Sequence, residues 1–267
     1  MTTRAKMQTV GIAGVAFWHS RLPGWNIAQQ VFRGEAEPLA TASARPAPTL
    51  LAPTERRRAP DTVAIALEVA SKACEAAQCA PGEIASVFAS THGDLAISDY
   101  MCATLVNTPT LISPVKFHNS VHNAAAGYWS IGTGNYAAYT ALSAFEYTFA
   151  TGLLETVTQV ICDNRPVLYV AFDIEAKGAL ATIAPSRGLF GTALVITAAD
   201  VANASKQMTL SVESPGASAT SVQTAAAAVV ADNALAPCVP FFEALALGRS
   251  SVLLRLGREQ ALNVSFA

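Results

Sequence analysis

The pattern of apolar and polar positions is clearest in residues 137–160, where a predicted strand runs directly into a predicted helix. Residues 137–144 are small or apolar, and Tyr139 and Thr140 add β propensity, so this segment is predicted to be a fully buried strand. From Glu146 onward, apolar residues recur at steps of three and four, which predicts an amphipathic helix. No polar loop separates the two elements, so the elbow residues Phe145 and Glu146 lie at the free N–H groups of the helix start. Enzymes place nucleophiles at such elbows, but neither residue is a serine or a cysteine.

Similar patterns predict strands and helices in alternation along the rest of the chain. Apolar runs predict strands at residues 8–17, 84–90, 166–173, 191–199 and 206–211. Periodic or small-residue segments predict helices at residues 62–78, capped by Asp61, and at residues 97–106, 120–131 and 239–247. Residues 251–256 and 261–266 predict a C-terminal hairpin, and five prolines in residues 38–60 predict a surface loop or a partly disordered connection. This alternation is typical of an α/β fold whose central strands are buried on both faces.

The amino-acid composition predicts that the chain binds a partner protein. The 267 residues suit one domain, 1–267, but only 13% are charged, against about 25% in an average soluble protein. So few charges do not cover a monomer surface, which predicts a large buried interface. A net charge of −2 without a long basic run argues against nucleic acid as a partner, and no apolar run is long enough to predict a membrane span. Five cysteines without a CxxC motif predict free thiols in a reducing compartment, the cytoplasm.

Histidine is the main candidate for chemistry among the remaining residues. His118 and His122 have a spacing that can bind a metal on a helix, but no HExxH motif or third ligand accompanies them. We therefore interpret them as hydrogen-bonded structural residues and predict no metal. His92 follows a predicted strand, where loops gather ligands in α/β folds. Neither GxGxxG nor GxxxxGK[ST] occurs, so no cofactor is predicted.

Several motifs between residues 113 and 173 resemble those of a known family. A Ser-Pro pair at Ser113 is followed by a small-residue segment with Asn123, Ala126 and Gly127, and then by the strand PVLYVAFD. In this order the motifs resemble the N-terminal half of β-ketoacyl-acyl-carrier-protein synthases, which have the thiolase fold. The resemblance covers a core of about residues 8–199 and leaves 200–267 as a C-terminal extension. It implies a thiolase-like α/β fold, reduced to one half with layers in the order α-β-α.

The resemblance also implies where a catalytic cysteine belongs. Counting forward without gaps places the family's nucleophile on Glu146, whereas a local match of the segment TALSA places it on Leu142. Neither register supplies a thiol. The family's two catalytic histidine motifs, Gly-Thr-x-Thr and Asn-x-Phe-Gly, are absent, and no histidine follows His122. Decarboxylative condensation needs a thiolate and stabilising histidines, so the chain resembles an inactive relative.

The resemblance implies a partner subunit as the leading function. The chain is similar to the chain length factor that pairs with a ketosynthase in type II polyketide systems, in particular those of aryl polyene pigments. By itself it is then not an enzyme. Its partners would be a full-length β-ketoacyl-ACP synthase, in a heterodimer, and an acyl carrier protein bound by the complex. Two alternatives remain open: a malonyl-ACP decarboxylase that uses Glu146 in the cysteine position, and a stand-alone acyl-thioester-binding or scaffold protein.

Two sets of contact residues follow from the resemblance. The strand before the elbow implies a dimer interface, in which two such strands pair antiparallel, at Ala138, Tyr139, Thr140, Ala141 and Leu142. Segments that line the acyl tunnel in the family correspond to Ile97, Tyr100, Met101 and Phe117. Bulky side chains at a tunnel end set product length, because an acyl chain cannot overlap a close-packed wall.

Overall fold

A computed structural model describes residues 9–201, 204, 206–213, 220–222 and 224–267. Within them the strands are β1 (Thr9–His19), β2 (Leu22–Pro23), β3 (Ala85–Ala89), β4 (Tyr139–Leu142), β5 (Val167–Asp173), β6 (Phe190–Ala198), β7 (Lys206–Glu213), β8 (Ser251–Arg255) and β9 (Ala261–Phe266). They form one nine-stranded sheet in the order β4-β3-β5-β6-β1-β7-β9-β8, with β2 paired to β1. β3 is parallel to β4 and to β5, and the remaining pairs are antiparallel.

Helices cover both faces of this sheet. They are α1 (Trp25–Phe32), α2 (Pro53–Arg58), α3 (Asp61–Ala77), α4 (Leu95–Asn107), α5 (Pro114–Asn119), α6 (Ala124–Thr133), α7 (Thr148–Asp163), α8 (Ala225–Val230) and α9 (Val239–Leu247). One core cluster packs α1, α7, α8 and α9 on one face, and a second packs α3 and α6 on the other. All seven residues of β5 are buried, and its six apolar residues alternate between the two clusters. The predicted α-β-α layers and the central strands buried on both faces are confirmed.

The predicted burial of the strand before the elbow is wrong. β4 is exposed at Tyr139 and half-buried along the rest of its length. The cause is its place in the sheet, because β4 is an edge strand that pairs with β3 on one side and leaves its other edge unpaired within the described part of the chain. Its apolar sequence therefore lies at a surface of the isolated chain.

The elbow connects β4 to α7 through one turn of 3-10 helix, Phe145–Tyr147. The α-helix begins at Thr148, two residues later than the prediction of a helix from Glu146. The Thr148 hydroxyl explains this start, because it accepts a hydrogen bond from the Ala144 N–H at 2.9 Å and donates one to the Phe145 carbonyl at 2.6 Å. The buried side of α7 is confirmed at Ala150, Leu153, Val157 and Val160.

Some predicted element boundaries are also corrected. Asp61 is the first residue of α3 and not its cap, because its carboxylate pairs with Arg45 instead of a backbone N–H group. The helix predicted at 120–131 begins only at Ala124, and the proline-rich loop contains α2. The predicted helices at 97–106 and 239–247 and the C-terminal hairpin are confirmed as α4, α9 and β8–β9.

The C-terminal part continues the same sheet. β7 pairs with β1 and with β9, so the described residues after 200 extend the sheet of the predicted core. The boundary between residues 199 and 200 stays a prediction, and Gln8, the predicted start of the first strand, lies outside the described residues. All five cysteines are free thiols. A search of the described residues finds no helix with the length and apolar character of a membrane span.

Candidate functional site

The backbone of the elbow identifies Phe145 as its strained residue. Phe145 has φ of 53°, in the left-handed region that bulky residues avoid. The other described non-glycine residues with positive φ, Gln78 and Asn164, follow the C-terminal ends of helices, where this conformation is ordinary. A strained residue between a strand and a helix is the geometry that exposes a nucleophile. Here the residue is a phenylalanine whose side chain is 61% exposed.

Glu146, the predicted occupant of the nucleophile position, is engaged elsewhere. Its two carboxylate oxygens accept hydrogen bonds from the Arg255 guanidinium of β8, at 2.9 and 3.2 Å. Arg255 also lies over the ring of Tyr147. This pairing compensates the charge of Glu146 and directs the carboxylate toward β8.

His92 is the histidine that the structure places beside the elbow. Its ring contacts the ring of Phe145, with centroids 6.0 Å apart. The space bounded by Phe145, Thr91 and Leu235 has no room for a water-sized molecule. Phe145 therefore borders a space that is too small to hold a bound molecule.

A buried carboxylate, Asp173, holds the loop that carries His92. It ends β5 and accepts hydrogen bonds from the Ser90 hydroxyl at 2.9 Å and from the backbone N–H groups of Thr91 and His92 at 3.0 and 3.3 Å. Burial raises the pKa of Asp173 above its usual value, while these donors act in the opposite direction. Asp173 is not among the residues predicted from the sequence, although an aspartate after six apolar strand residues is a signal of a partnered buried charge.

His118 and His122, whose spacing could bind a metal ion on one helix, do not lie on the same helix. His118 belongs to α5, where its ring contacts that of Tyr128, and His122 lies beyond the end of that helix. The His122 Nε2 atom is 2.9 Å from the carbonyl oxygen of Ser90. Among the described residues, no group of three or more His, Cys, Asp or Glu side chains is arranged to hold a metal ion.

The four predicted tunnel residues lie on α4 and α5 in different environments. Ile97 is buried within the chain, and Tyr100 is fixed by a hydrogen bond from the Ser113 N–H at 3.1 Å and by Lys116, which lies 4.1 Å from its ring centroid. Met101 is half-buried. Phe117 is 61% exposed, so of the four it is the one most available to a partner.

Ile97 also lines a cavity of about 470 Å³ between α4, α5 and the start of α3. Its wall is mixed, because Ile97, Val115 and Ile174 lie beside charged side chains, namely Arg58, Asp61, Asp94, Lys116, Glu175 and Lys177. A role of this cavity in acyl binding stays a prediction.

The residues of β4 divide into two sets by the direction of their backbone groups. The carbonyls of Ala138 and Leu142 accept hydrogen bonds from the N–H groups of Ser86 and Ser90, so these positions face β3. Directions alternate along a strand, and Thr140 therefore also faces β3. The N–H and C=O groups of Tyr139 and Ala141 point to the unpaired edge.

Exposed apolar side chains surround this edge. Tyr136 is 98% exposed and Ile131 is 78% exposed. The helix α6, which carries Ile131, lies against β4, and Tyr136 lies in the segment that connects the two. We call this set the apolar face: Ile131, Tyr136, Tyr139 and Phe145.

Comparison with known proteins gives the family. A family model described as beta-ketoacyl synthase, N-terminal domain, matches residues 29–260. The chain therefore belongs to the family of β-ketoacyl synthase N-terminal domains. No curated protein matches the chain significantly.

Solved structures of ketosynthase complexes share the fold. A chain of the ketosynthase ApeO in complex with its chain length factor ApeC from Xenorhabdus doucetiae is 20% identical, with a TM-score of 0.73, and 96% of this chain and 99% of that chain are covered. A chain of the ishigamide ketosynthase/chain length factor is 12% identical, with a TM-score of 0.68 and coverage of 97% and 99%. A chain of AntDE:AntF, a type II polyketide synthase acyl carrier protein in complex with its ketosynthase, is 10% identical, with a TM-score of 0.71 and coverage of 98% and 99%. The chain has the thiolase-like ketosynthase fold.

Proposed function

We propose that this chain is a non-catalytic, chain-length-factor-like subunit that pairs with a complete β-ketoacyl-ACP synthase in polyketide biosynthesis. The observation that carries the proposal is Phe145 at the strained elbow. In this proposal Phe145, instead of Glu146 or Leu142, stands where active relatives carry their nucleophile. A phenyl ring cannot form the acyl thioester that condensation requires.

The histidine content supports the same conclusion. The last histidine of the sequence is His122, and the histidine that contacts the elbow residue Phe145 is His92. Decarboxylative condensation generates an enolate and an oxyanion that need positioned donors or cations. One histidine packed edge-on against a phenyl ring does not supply such a set.

The arrangement around β4 supports a protein partner. An unpaired strand edge flanked by exposed apolar side chains is prone to aggregate unless another chain covers it. Pairing with the corresponding strand of a ketosynthase satisfies the edge groups of Tyr139 and Ala141. The apolar face is then buried in the interface that the low charge content predicts. The heterodimer, and not the chain alone, receives the acyl carrier protein.

A decarboxylase that uses Glu146 is the second candidate, and Arg255 argues against it. The bidentate ion pair engages both oxygens of the carboxylate. An acyl-binding scaffold without a partner leaves the apolar face exposed. Of the three functions, the partner subunit fits the most observations.

Co-expression tests the proposal. The tagged chain is produced with each complete β-ketoacyl-ACP synthase of its source organism, and the mass of the purified complex is measured by light scattering. We expect a 1:1 complex with one of them. Recovery of the chain as a stable monomer in every combination would contradict the proposal.

A further inference from the structure

The C-terminal end of α3 brings two thiols together. Gln78 adopts a left-handed conformation, with φ of 55°. The N–H of Gln78 donates to the carbonyl of Glu75, and the N–H of Cys79 donates to that of Cys74, both at 3.1 Å. These two bonds define a Schellman motif, in which the side chains at the positions of Cys74 and Cys79 meet. An apolar pair usually occupies them, and here both are cysteines.

The two thiols differ in accessibility and in charge. Cys74 is buried, whereas Cys79 is half-buried and lines a surface cleft of about 210 Å³ together with Arg165. Hydrogen bonding from the Cys74 thiol lowers the pKa of Cys79 to about 7, even though burial acts against this. The same hydrogen bond, followed by burial, raises the pKa of Cys74 well above its usual value. Cys79 therefore carries the thiolate of the pair near neutral pH, and the thiolate is the reactive form.

We propose that Cys79 and Cys74 are a peroxide-reactive modification site that closes an intrachain disulfide. The Cys79 thiolate attacks hydrogen peroxide, an S–O bond forms, the O–O bond breaks, and hydroxide leaves and is protonated to water. The sulfur of Cys74 then attacks the sulfenic acid, an S–S bond forms, and the oxygen leaves with the Cys74 proton as a second water. In total two thiols are oxidised, and one peroxide is reduced to two waters. The proposal is independent of the function proposed above.

The remaining cysteines provide internal controls. Cys102 on α4 and Cys162 on α7 are exposed, so they are more accessible than Cys79, and they lie on helices other than the one that carries the pair. Accessibility alone predicts that they oxidise first. The proposed pair predicts that Cys79 reacts at least about tenfold faster, because its thiolate fraction is raised.

The experiment treats the full chain with a small excess of hydrogen peroxide at pH 7 and follows the intact mass. We expect a loss of about 2 Da that dithiothreitol reverses. Digestion after glutamate cuts between the two cysteines at Glu75, so the resulting peptides stay linked only if the disulfide has formed. The double variant Cys102→Ser/Cys162→Ser should behave like the wild type.

Single variants separate the two steps. Cys74→Ser should stop at a Cys79 sulfenic acid that dimedone traps, and Cys79→Ser should leave Cys74 unreacted. Oxidation of Cys102 and Cys162 at the rate of Cys79, or a wild-type product that carries added oxygen but no linked peptides, overturns the proposal.

Discussion

The carboxylate of Glu146 forms a bidentate ion pair with the guanidinium of Arg255, 109 residues away in the chain. The pair joins the turn after β4 to the C-terminal hairpin. It engages both carboxylate oxygens of Glu146, which favours a structural role for this side chain.

Glu146→Gln should therefore have little effect. The pair is largely exposed, and such pairs contribute up to about 1 kcal/mol. We expect a change of less than about 1 kcal/mol in the free energy of unfolding, measured with urea, and unchanged products from the complex with the ketosynthase. Arg255→Gln is the matched control and should behave alike. A complex with Glu146→Gln that loses its activity would instead indicate a chemical role for this carboxylate.

Proline substitutions in β4 test the interface. Ala141→Pro removes an N–H group that points to the free edge, so the chain should fold normally but no longer co-purify with the ketosynthase. Thr140→Pro removes a donor that faces β3, so it should destabilise the isolated chain as well and cannot by itself report on the interface. Circular dichroism of the isolated variants and co-purification yield distinguish the two. Wild-type yield with Ala141→Pro excludes pairing through this edge.

Product length is the third test. Phe117→Ala, and to a smaller extent Met101→Ala, should lengthen the carrier-bound product of the heterodimer. Removing the bulky side chain relieves an overpacking cost of about 1–3 kcal/mol, roughly ten- to a hundredfold in the rate of the next extension. Ile97 is buried in the chain itself, so Ile97→Ala should cost about 2–5 kcal/mol of stability. If mass spectrometry shows the same distribution of product lengths for Phe117→Ala, Met101→Ala and the wild type, these side chains do not limit the length of the product.

The pH dependence of stability is predicted from His19. Burial, with the nearby Arg21 charge as a smaller cause, lowers the pKa of His19 to about 4, and its Nδ1 accepts the Arg21 N–H at 3.2 Å. As the pH falls, His19 is protonated near pH 6.5 in the unfolded chain but only near pH 4 in the folded chain. The free energy of unfolding should therefore keep its full value above pH 6.5 and decrease from pH 6.5 toward pH 4. At pH 5 the loss is about 2 kcal/mol. His19→Asn keeps a hydrogen-bond acceptor that does not titrate, so the unfolding free energy of this variant should not decrease between pH 6.5 and pH 4. If it decreases as in the wild type, groups other than His19 cause the pH dependence.

The sequence predicts best those features that depend on local patterns. The run of apolar residues in β5 is sufficient to predict a strand buried on both faces. The small residues of α6 predict a buried helix only in part, because Ala125 and Ala126 are buried whereas Gly127 has open space around its Cα and Ile131 is exposed. β4 has an equally apolar sequence but lies at an edge, because strand order is set by contacts between distant segments. Neither the strained φ of Phe145 nor the ion pair of Glu146 with Arg255 has a local signature, since phenylalanine rarely adopts that conformation and the arginine lies in the C-terminal hairpin.

An elongation assay tests whether the chain is catalytic by itself. Malonyl- and acyl-carrier-protein thioesters are given to the chain alone, to its ketosynthase alone and to the 1:1 complex, and the products are identified by mass spectrometry. We expect no condensation by the chain alone, nor by its Phe145→Cys or Glu146→Cys variants, since a thiol does not replace the missing histidines. We expect extended products from the complex. Condensation by the chain without any partner would show that it is an enzyme and would contradict the proposed function.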